Sequence, residues 1–222
     1  MVFHDRDDAG RRLAQRLSRE KFQNPIVFAL PRGGVPVAMP VALALGAVLE
    51  VFVARKVGAP GEPELGIGAI AEGDDDVTTS AITHQLGIDS EQLQRLAVKE
   101  RVELARRVAR YRGATSLPPI EGRDIILVDD GLATGVTAEA ALRSLRKHRP
   151  RRIVLAVPVC PPDTARRLAS IADDVICVET PTGMGAIGSW YADFAQTSDD
   201  EVITLLQAVR SRTHTSRESM TD

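Results

Sequence analysis

The sequence predicts an α/β fold in which a central, mostly parallel sheet is flanked by helices. Three observations carry this expectation. Short apolar runs alternate with helical patterns along most of the chain, as successive βαβ crossovers do. The run Ile125-Ile126-Leu127-Val128 is apolar at consecutive positions, which fits a strand covered on both faces, as parallel sheets require. Glycine-containing polar loops, Arg32-Gly33-Gly34 and Asp129 to Thr137, follow two of the apolar runs and lead into helical patterns. The carboxyl ends of strands are where open α/β sheets bind ligands.

Taken in order, Arg6 to Leu17 reads as a helix with Ala9, Leu13, Ala14 and Leu17 on one face. Ile26 to Leu30 is a strand, Val35 to Leu45 a helix and Val48 to Ala54 a strand. Gly58 to Glu64 is rich in Gly and Pro and is expected to be a mobile lid loop, with Ile67 to Ala71 returning as a strand. Asp74-Asp75-Asp76 is an exposed turn. Glu91 to Arg112 is a long helix started by Asp89 or Ser90, with Gln92 three residues beyond Asp89. Its apolar stripe is Leu93, Ala97, Leu104, Val108 and Tyr111. Ile125 to Val128 is a strand and Thr137 to Lys147 its helix; Ile153 to Val157, Pro162 to Ile171 and Val175 to Val178 continue the alternation. Asp199 to Val209 closes it as a helix.

Residues 1–210 are expected to form one domain, with 73–117 as an inserted subdomain and 180–198 as a hood loop. Residues 211–222 are polar and lack periodic apolar positions, so a disordered tail is expected. The chain has 222 residues, 44% hydrophobic and 26% charged, the balance of a soluble globular protein able to bury a substantial core. A formal charge of −2 gives no case for a nucleic-acid or membrane surface. The most apolar stretch, Val35 to Ala54, is broken by Pro36, Pro40, Gly46 and Glu50, and reads as buried helix and strand. No apolar signal core follows the charged residues 4–8, so a cytoplasmic location is expected. Cys160 and Cys177 lack metal-ligand spacing and read as small buried hydrophobes in a reducing compartment, with a disulfide left open.

The chemistry concentrates in Asp129-Asp130-Gly131-Leu132-Ala133-Thr134-Gly135-Val136-Thr137. Adjacent carboxylates accept hydrogen bonds from vicinal hydroxyls or join a magnesium site. The loop beyond them offers backbone N–H groups, two hydroxyls and a helix N-terminus, all suited to a phosphate. This stretch resembles the signature of type I phosphoribosyltransferases, which use 5-phosphoribosyl-1-pyrophosphate (PRPP). The resemblance implies that Asp129 and Asp130 hold the ribose hydroxyls and Mg²⁺, the latter directly or through water, while Ala133, Thr134, Gly135, Val136 and Thr137 wrap the 5′-phosphate. Arg32, Gly33 and Gly34 match the family's pyrophosphate loop, which often contains a cis peptide at a non-proline bond. Arg55 and Lys56 match basic residues that lead into a lid. The resemblance thus nominates Arg32, Lys56, Asp129 and Asp130 as catalytic.

Only 4% of the residues are aromatic, yet Trp190, Tyr191 and Phe194 fall together in a glycine-rich stretch. In the family the hood supplies the acceptor pocket, and aromatic faces suit a planar base. At position 133 the family's 6-oxopurine enzymes usually carry Asp, whereas Ala133 resembles the Ala-Thr-Gly of adenine and uracil enzymes. The expected activity is transfer of the phosphoribosyl group from Mg-PRPP to a nitrogenous acceptor, in nucleotide metabolism, by a homodimer. The alternative is a PRPP- or nucleotide-sensing regulator without turnover. The basic residues of the 91–112 helix are interleaved with Glu100 and Glu103, so a solvated face is expected there and not a nucleic-acid arm.

Overall fold

The computed structural model describes residues 2–218. A five-stranded sheet forms its centre, in the order β2-β1-β6-β7-β8. The strands are β1 (Ile26–Ala29), β2 (Val48–Val51), β6 (Asp124–Val128), β7 (Arg152–Val159) and β8 (Asp174–Glu179), and every pairing is parallel. Side chains on successive residues of a strand point to opposite faces, and the two cores follow that rule. Ile26, Phe28, Ile125 and Leu127 enter one core with α5 (Val136–Lys147) and α6 (Pro162–Leu168). Val27, Ala29, Ile126 and Val128 enter the other with α1 (Arg6–Leu17), α2 (Gly34–Leu45) and α7 (Asp199–Glu218). The unbroken apolar run at 125–128 is therefore the signature of a strand with a core on each side.

From β1 the chain crosses through α2 to β2 on one side, whereas β6, β7 and β8 extend the sheet on the other. The order reverses between β1 and β6, which pair Ala29 with Val128. The loops leaving these two strands lead to helices on opposite faces, α2 and α5, and a reversal of this kind is where open α/β sheets bind ligands at the carboxyl edge.

Val48 to Ala54 is not one strand. The chain leaves the sheet at Phe52 and Val53 and enters a second, antiparallel sheet in the order β3-β4-β5, made of β3 (Ala54–Ala59), β4 (Glu62–Ala71) and β5 (Thr78–Thr79). Glu72 enforces the exit: its carboxylate accepts from the Val53 N–H at 2.8 Å, and its own N–H donates to the Val53 carbonyl at 2.9 Å. The expected loop at Gly58 to Glu64 is also corrected. The strands reach Ala59 and resume at Glu62, leaving Pro60 and Gly61 as the turn, with Gly61 at φ 81. Proline followed by glycine at positive φ is the chemistry of a tight turn, and register shifts on either side of Gly58 absorb its irregularity.

Within 73–117 lie β5, α3 (Ala81–Gln85) and α4 (Ser90–Arg112). Asp89 caps α4 in a reciprocal capping box with Gln92. Leu93 and Ala97 pack with Val57, Ile67 and Ile70 of the hairpin, while Tyr111, Leu104 and Val108 join the α7 side of the main core. The stripe expected from the sequence is thus buried at both ends, on two different partners. Helix α6 ends at Leu168, three residues before the expected Ile171. Helix α7 continues to Glu218, beyond the Ser211 boundary set for a tail; residues 219–222 lie outside the described residues. Cys160 and Cys177 are free thiols. No helix among the described residues is long and apolar enough to cross a membrane.

Candidate functional site

The loops after β1 and β6 meet at the carboxyl edge of the sheet. The Leu30 N–H donates to the Val128 carbonyl at 2.9 Å, which holds the first loop against the end of β6. The peptide Pro31–Arg32 is cis. Gly33 and Gly34 then lie directly on the acid pair. A Cβ on Gly33 would sit 2.0 Å from Asp130 Oδ2; one on Gly34 would sit 2.8 Å from the Val128 carbonyl oxygen and 3.1 Å from Asp129 Cα. No side chain fits in that space, so the glycines are what let two backbones close around the carboxylates.

Asp129 and Asp130 are adjacent and largely enclosed. Asp129 Oδ1 accepts from the Asp130 N–H at 2.9 Å. Burial, reinforced by the neighbouring Asp130 charge, pushes the Asp129 carboxyl well above the usual carboxylate range. Burial also raises Asp130, opposed by Arg6. An acid whose folded pKa is raised binds its proton more tightly folded than unfolded, so stability falls as pH rises from the unfolded value through the folded one. Asp129→Asn is therefore expected to raise the melting temperature, by more at pH 8 than at pH 4. Scanning calorimetry checks this, and a lower melting temperature at pH 8 would contradict it.

Arg6, at the start of α1, was not foreseen from the sequence. Its Nε donates to Asp130 Oδ2 at 2.9 Å, its Nη1 donates to the Ala195 carbonyl at 2.7 Å, and its guanidinium lies 3.8 Å from the Phe194 ring centroid. Arg6 and Asp130 are 124 residues apart, and an arginine opening an amphipathic helix gives no local sign of such a partner. The aromatic cluster is arranged around the same point. Tyr191 is 3% exposed, packed between Phe3 and Phe194 at centroid distances of 5.3 and 5.0 Å, and its hydroxyl donates to the Asp130 carbonyl at 2.5 Å. The Trp190 carbonyl accepts from the N–H groups of Val2 and Phe3, tying the N-terminal segment to this loop. Tyr191 thus has both ring faces covered, and in this arrangement it anchors the loop and offers no stacking platform.

Beyond the acids, Gly135 at φ 69 caps α5, and Ala133 and Thr134 are exposed. The carbonyls of this loop are held from behind: the Thr164 hydroxyl donates to Ala133 at 2.8 Å, and Arg167 donates to Thr134. With carbonyls turned to the protein, the N–H groups of the first turn of α5 are left at the helix end, where they and the helix dipole favour an anion.

The expected basic residues divide between two places. Arg32 turns toward α7, with Nη1 3.9 Å from Asp199 Oδ1. Asp199 also accepts from the Tyr111 hydroxyl at 2.5 Å, and burial together with that charge pushes the phenol to about 12. Arg55 and Lys56 lie instead in an open cleft of about 540 Å³ bounded by Pro31, β3, α4 and Thr137. Arg55 Nε donates to Glu100 of α4 at 2.9 Å.

Among the described residues no three His, Cys, Asp or Glu side chains gather as a metal cage. Mg²⁺ commonly takes one or two carboxylates and completes its shell with water and substrate phosphates. A cation would also relieve the like charges of Asp129 and Asp130, so the pair fits a magnesium ion delivered with a polyphosphate.

Comparison with known proteins follows the same lines. The model of the phosphoribosyl transferase domain matches residues 4–195. The Mycobacterium tuberculosis protein named "Putative phosphoribosyl transferase Rv0571c" is 45% identical over 205 residues, which is 92% of this chain and 46% of that one. The "Bifunctional protein PyrR" of Leifsonia xyli is 36% identical over 107 residues, 47% of this chain and 56% of its own length. The chain therefore spans about half the length of the curated relatives it matches. The crystal structure of TT1426 from Thermus thermophilus superposes with a TM-score of 0.78 at 41% identity, covering 93% of this chain and 98% of that one.

Proposed function

The chain belongs to the phosphoribosyl transferase domain family, and we propose that it transfers the 5-phosphoribosyl group of Mg-PRPP to a nitrogenous acceptor, releasing pyrophosphate. One observation carries the reading: Gly33 and Gly34 are pressed against Asp129 and Asp130 at a topological switch point, beside a loop that presents a helix N-terminus. A diphosphate, a ribose and a 5′-phosphate need these three elements side by side.

In the proposed reaction the bond from ribose C1 to pyrophosphate oxygen breaks, the bond from C1 to the acceptor nitrogen forms, and the acceptor proton is released. Asp129 and Asp130 orient the ribose hydroxyls, and their charge favours the oxocarbenium character that develops at C1. Ala133 to Thr137 hold the 5′-phosphate through backbone N–H groups and the hydroxyls of Thr134 and Thr137. Arg32, Gly33, Gly34 and Lys56 receive the pyrophosphate, whose charge Mg²⁺ held near Asp129 and Asp130 would help to neutralise. The hairpin tip at Ala59 to Glu62 is the proposed lid over the cleft. Trp190 and Phe194 border the acceptor side, with Tyr191 holding that loop to the Asp130 backbone. Free cysteines fit the proposed cytoplasmic setting.

Pyrophosphate release, screened over purine, pyrimidine and pyridine acceptors with Mg-PRPP, tests the reading. Turnover with at least one acceptor is expected; absence of both turnover and PRPP binding would refute it. A second reading, a PRPP- or nucleotide-sensing regulator, is favoured by the Arg6–Asp130 pair, which occupies a carboxylate oxygen the ribose needs. PRPP binding without turnover on any acceptor would select it.

Asp130→Asn is expected to weaken Mg-PRPP binding by roughly tenfold to a hundredfold, since a charge-assisted hydrogen bond is worth about 1.5–3 kcal/mol. Titration calorimetry on the folded variant measures it, and unchanged affinity would remove the ribose role.

A further inference from the structure

Helix α4 crosses the cleft that begins at the Pro31 loop, and it contributes Leu96, Lys99, Glu100 and Arg107 to its wall. Their spacing of three, four and eleven residues from Leu96 keeps all four on one side of the helix. Arg55 and Lys56 of β3 and Thr137 from the first turn of α5 line the same cleft. The cleft thus adjoins both loops of the proposed donor site, sharing Pro31 with one and Thr137 with the other.

Charge in the cleft is strongly one-sided. Arg55, Lys56, Lys99 and Arg107 are cationic, and Glu100 is the single acid among the lining residues. Glu100 accepts from both Arg55 Nε and Nη2, so its charge is spent on fixing Arg55 to α4. Arg107 gives its Nε to Glu103 at 2.9 Å, which leaves the Nη groups of its planar fork to reach further. Lys99 makes no ion pair among the described residues. Elsewhere on α4, Arg95 pairs with Glu91, Arg106 with Glu103, Arg110 with Asp199 and Asp200, and Arg112 with Glu72, while Arg101 donates to the Asp75 carbonyl and the Gln94 amide oxygen. Glu103 is shared by Arg106 and Arg107, so this trio keeps a net positive charge, and Arg107 together with Lys99 brings positive charge of the helix to the cleft.

We propose that α4 forms part of the donor-binding site, with Lys99 and Arg107 gripping the diphosphate of the donor across the cleft from Lys56. The inference rests on the phosphoribosyl-transfer reading and deepens it. It turns a helix that the sequence marks as structural into a source of substrate contacts. A diphosphate bears several charges in a compact volume, and cations converging from β3 and α4 on an open space of about 540 Å³ match it. Nucleic acid fits less well, because Arg95, Arg106 and Arg110 outside the cleft are paired with acids of α4 or α7.

The test measures binding of magnesium pyrophosphate and of ribose 5-phosphate to the full chain by calorimetry. The variants are Lys99→Ala, Lys99→Arg, Arg107→Ala and Arg107→Gln, each verified as folded by its melting transition. Lys99→Ala and both Arg107 variants are expected to weaken pyrophosphate binding on the order of tenfold each, since each removes a charged contact. Lys99→Arg should retain most of it, and ribose 5-phosphate binding should be unchanged throughout. Pyrophosphate affinity equal to wild type in the folded alanine variants would overturn the proposal while leaving the transfer reading in place. A wild-type chain that binds ribose 5-phosphate but no pyrophosphate would do the same. Failure to bind PRPP, pyrophosphate and ribose 5-phosphate alike would overturn both. Single-stranded RNA binding lost in the same variants, with pyrophosphate binding unaffected, would reassign the cleft.

Discussion

Gly33→Ala is expected to abolish tight donor binding without unfolding the protein. Gly33 already has a right-handed helical backbone, with φ −61 and ψ −31, so alanine meets no conformational penalty there. The obstacle is contact: the new Cβ would lie 2.0 Å from Asp130 Oδ2, 2.7 Å from its Cγ and 3.2 Å from Arg6 Nε. The carboxylate must swing away, and its pair with Arg6 goes with it. Loss of the hydrogen bonds made by a charged acceptor costs about 1.5–3 kcal/mol, and the methyl also fills space where we propose the diphosphate binds. Affinity for Mg-PRPP should therefore fall at least a hundredfold, a result titration calorimetry reads directly. Gly34→Ala behaves differently because its obstacles are the Val128 carbonyl and Asp129 Cα, which cannot rotate aside. Overpacking against backbone should cost about 1–3 kcal/mol of stability in addition, visible as a lower denaturation midpoint. Wild-type PRPP affinity in Gly33→Ala would refute the contact between the two loops as the basis of binding.

The largest expected loss of stability is at Glu72. Its carboxylate pairs with Arg112 through two bonds of 2.8 Å, accepts from the Val53 N–H, and is only 6% exposed; Arg112 is 7% exposed and also donates to the Val51 carbonyl at 3.0 Å. Both residues are fixed where β2 ends, β4 has just ended and α4 terminates. Glu72→Ala strands a buried guanidinium, and breaking one partner of such a pair typically costs about 3–5 kcal/mol. That is a large share of the roughly 5–15 kcal/mol by which domains are stable. Urea denaturation should show it. Glu72→Leu combined with Arg112→Met should recover much of the loss, since the penalty comes from the unpaired charge. A single Glu72→Ala chain as stable as wild type would show that water reaches the pair.

Periodicity made the layers of this fold readable. Unbroken apolar runs at 26–29 and 125–128 fit strands with cover on both faces, and the stripe from Leu93 to Tyr111 fits a helix with something to bury, as the structure has them. Boundaries set by long-range partners were not readable. The strand begun at Val48 breaks after Val51 because Glu72 captures the next backbone segment, and nothing near Val53 announces that partner. The glycine and proline content of 58–64 reads as a mobile loop, but the pairing of β3 with β4 makes most of it strand and confines the turn to Pro60 and Gly61.

The same division runs through the candidate site. Asp129, Asp130 and the loop to Thr137 stand out in the sequence because the motif is contiguous and adjacent acids after a buried strand carry a chemical meaning, whereas Gly33 and Gly34 gain theirs from their place relative to that motif and from the family resemblance. The sequence by itself also determined that the two motifs would lie at the same edge, since both follow parallel strands. Their contact, the Arg6 clamp on Asp130, the burial of Tyr191 beneath it and the turning of Lys99 and Arg107 into the cleft were decided only by the tertiary structure. The physical reason is range. Hydrophobic periodicity and turn chemistry act over a few neighbours and are written locally, whereas a charge finds its partner only after packing has chosen which surfaces meet, 124 residues apart in the case of Arg6 and Asp130.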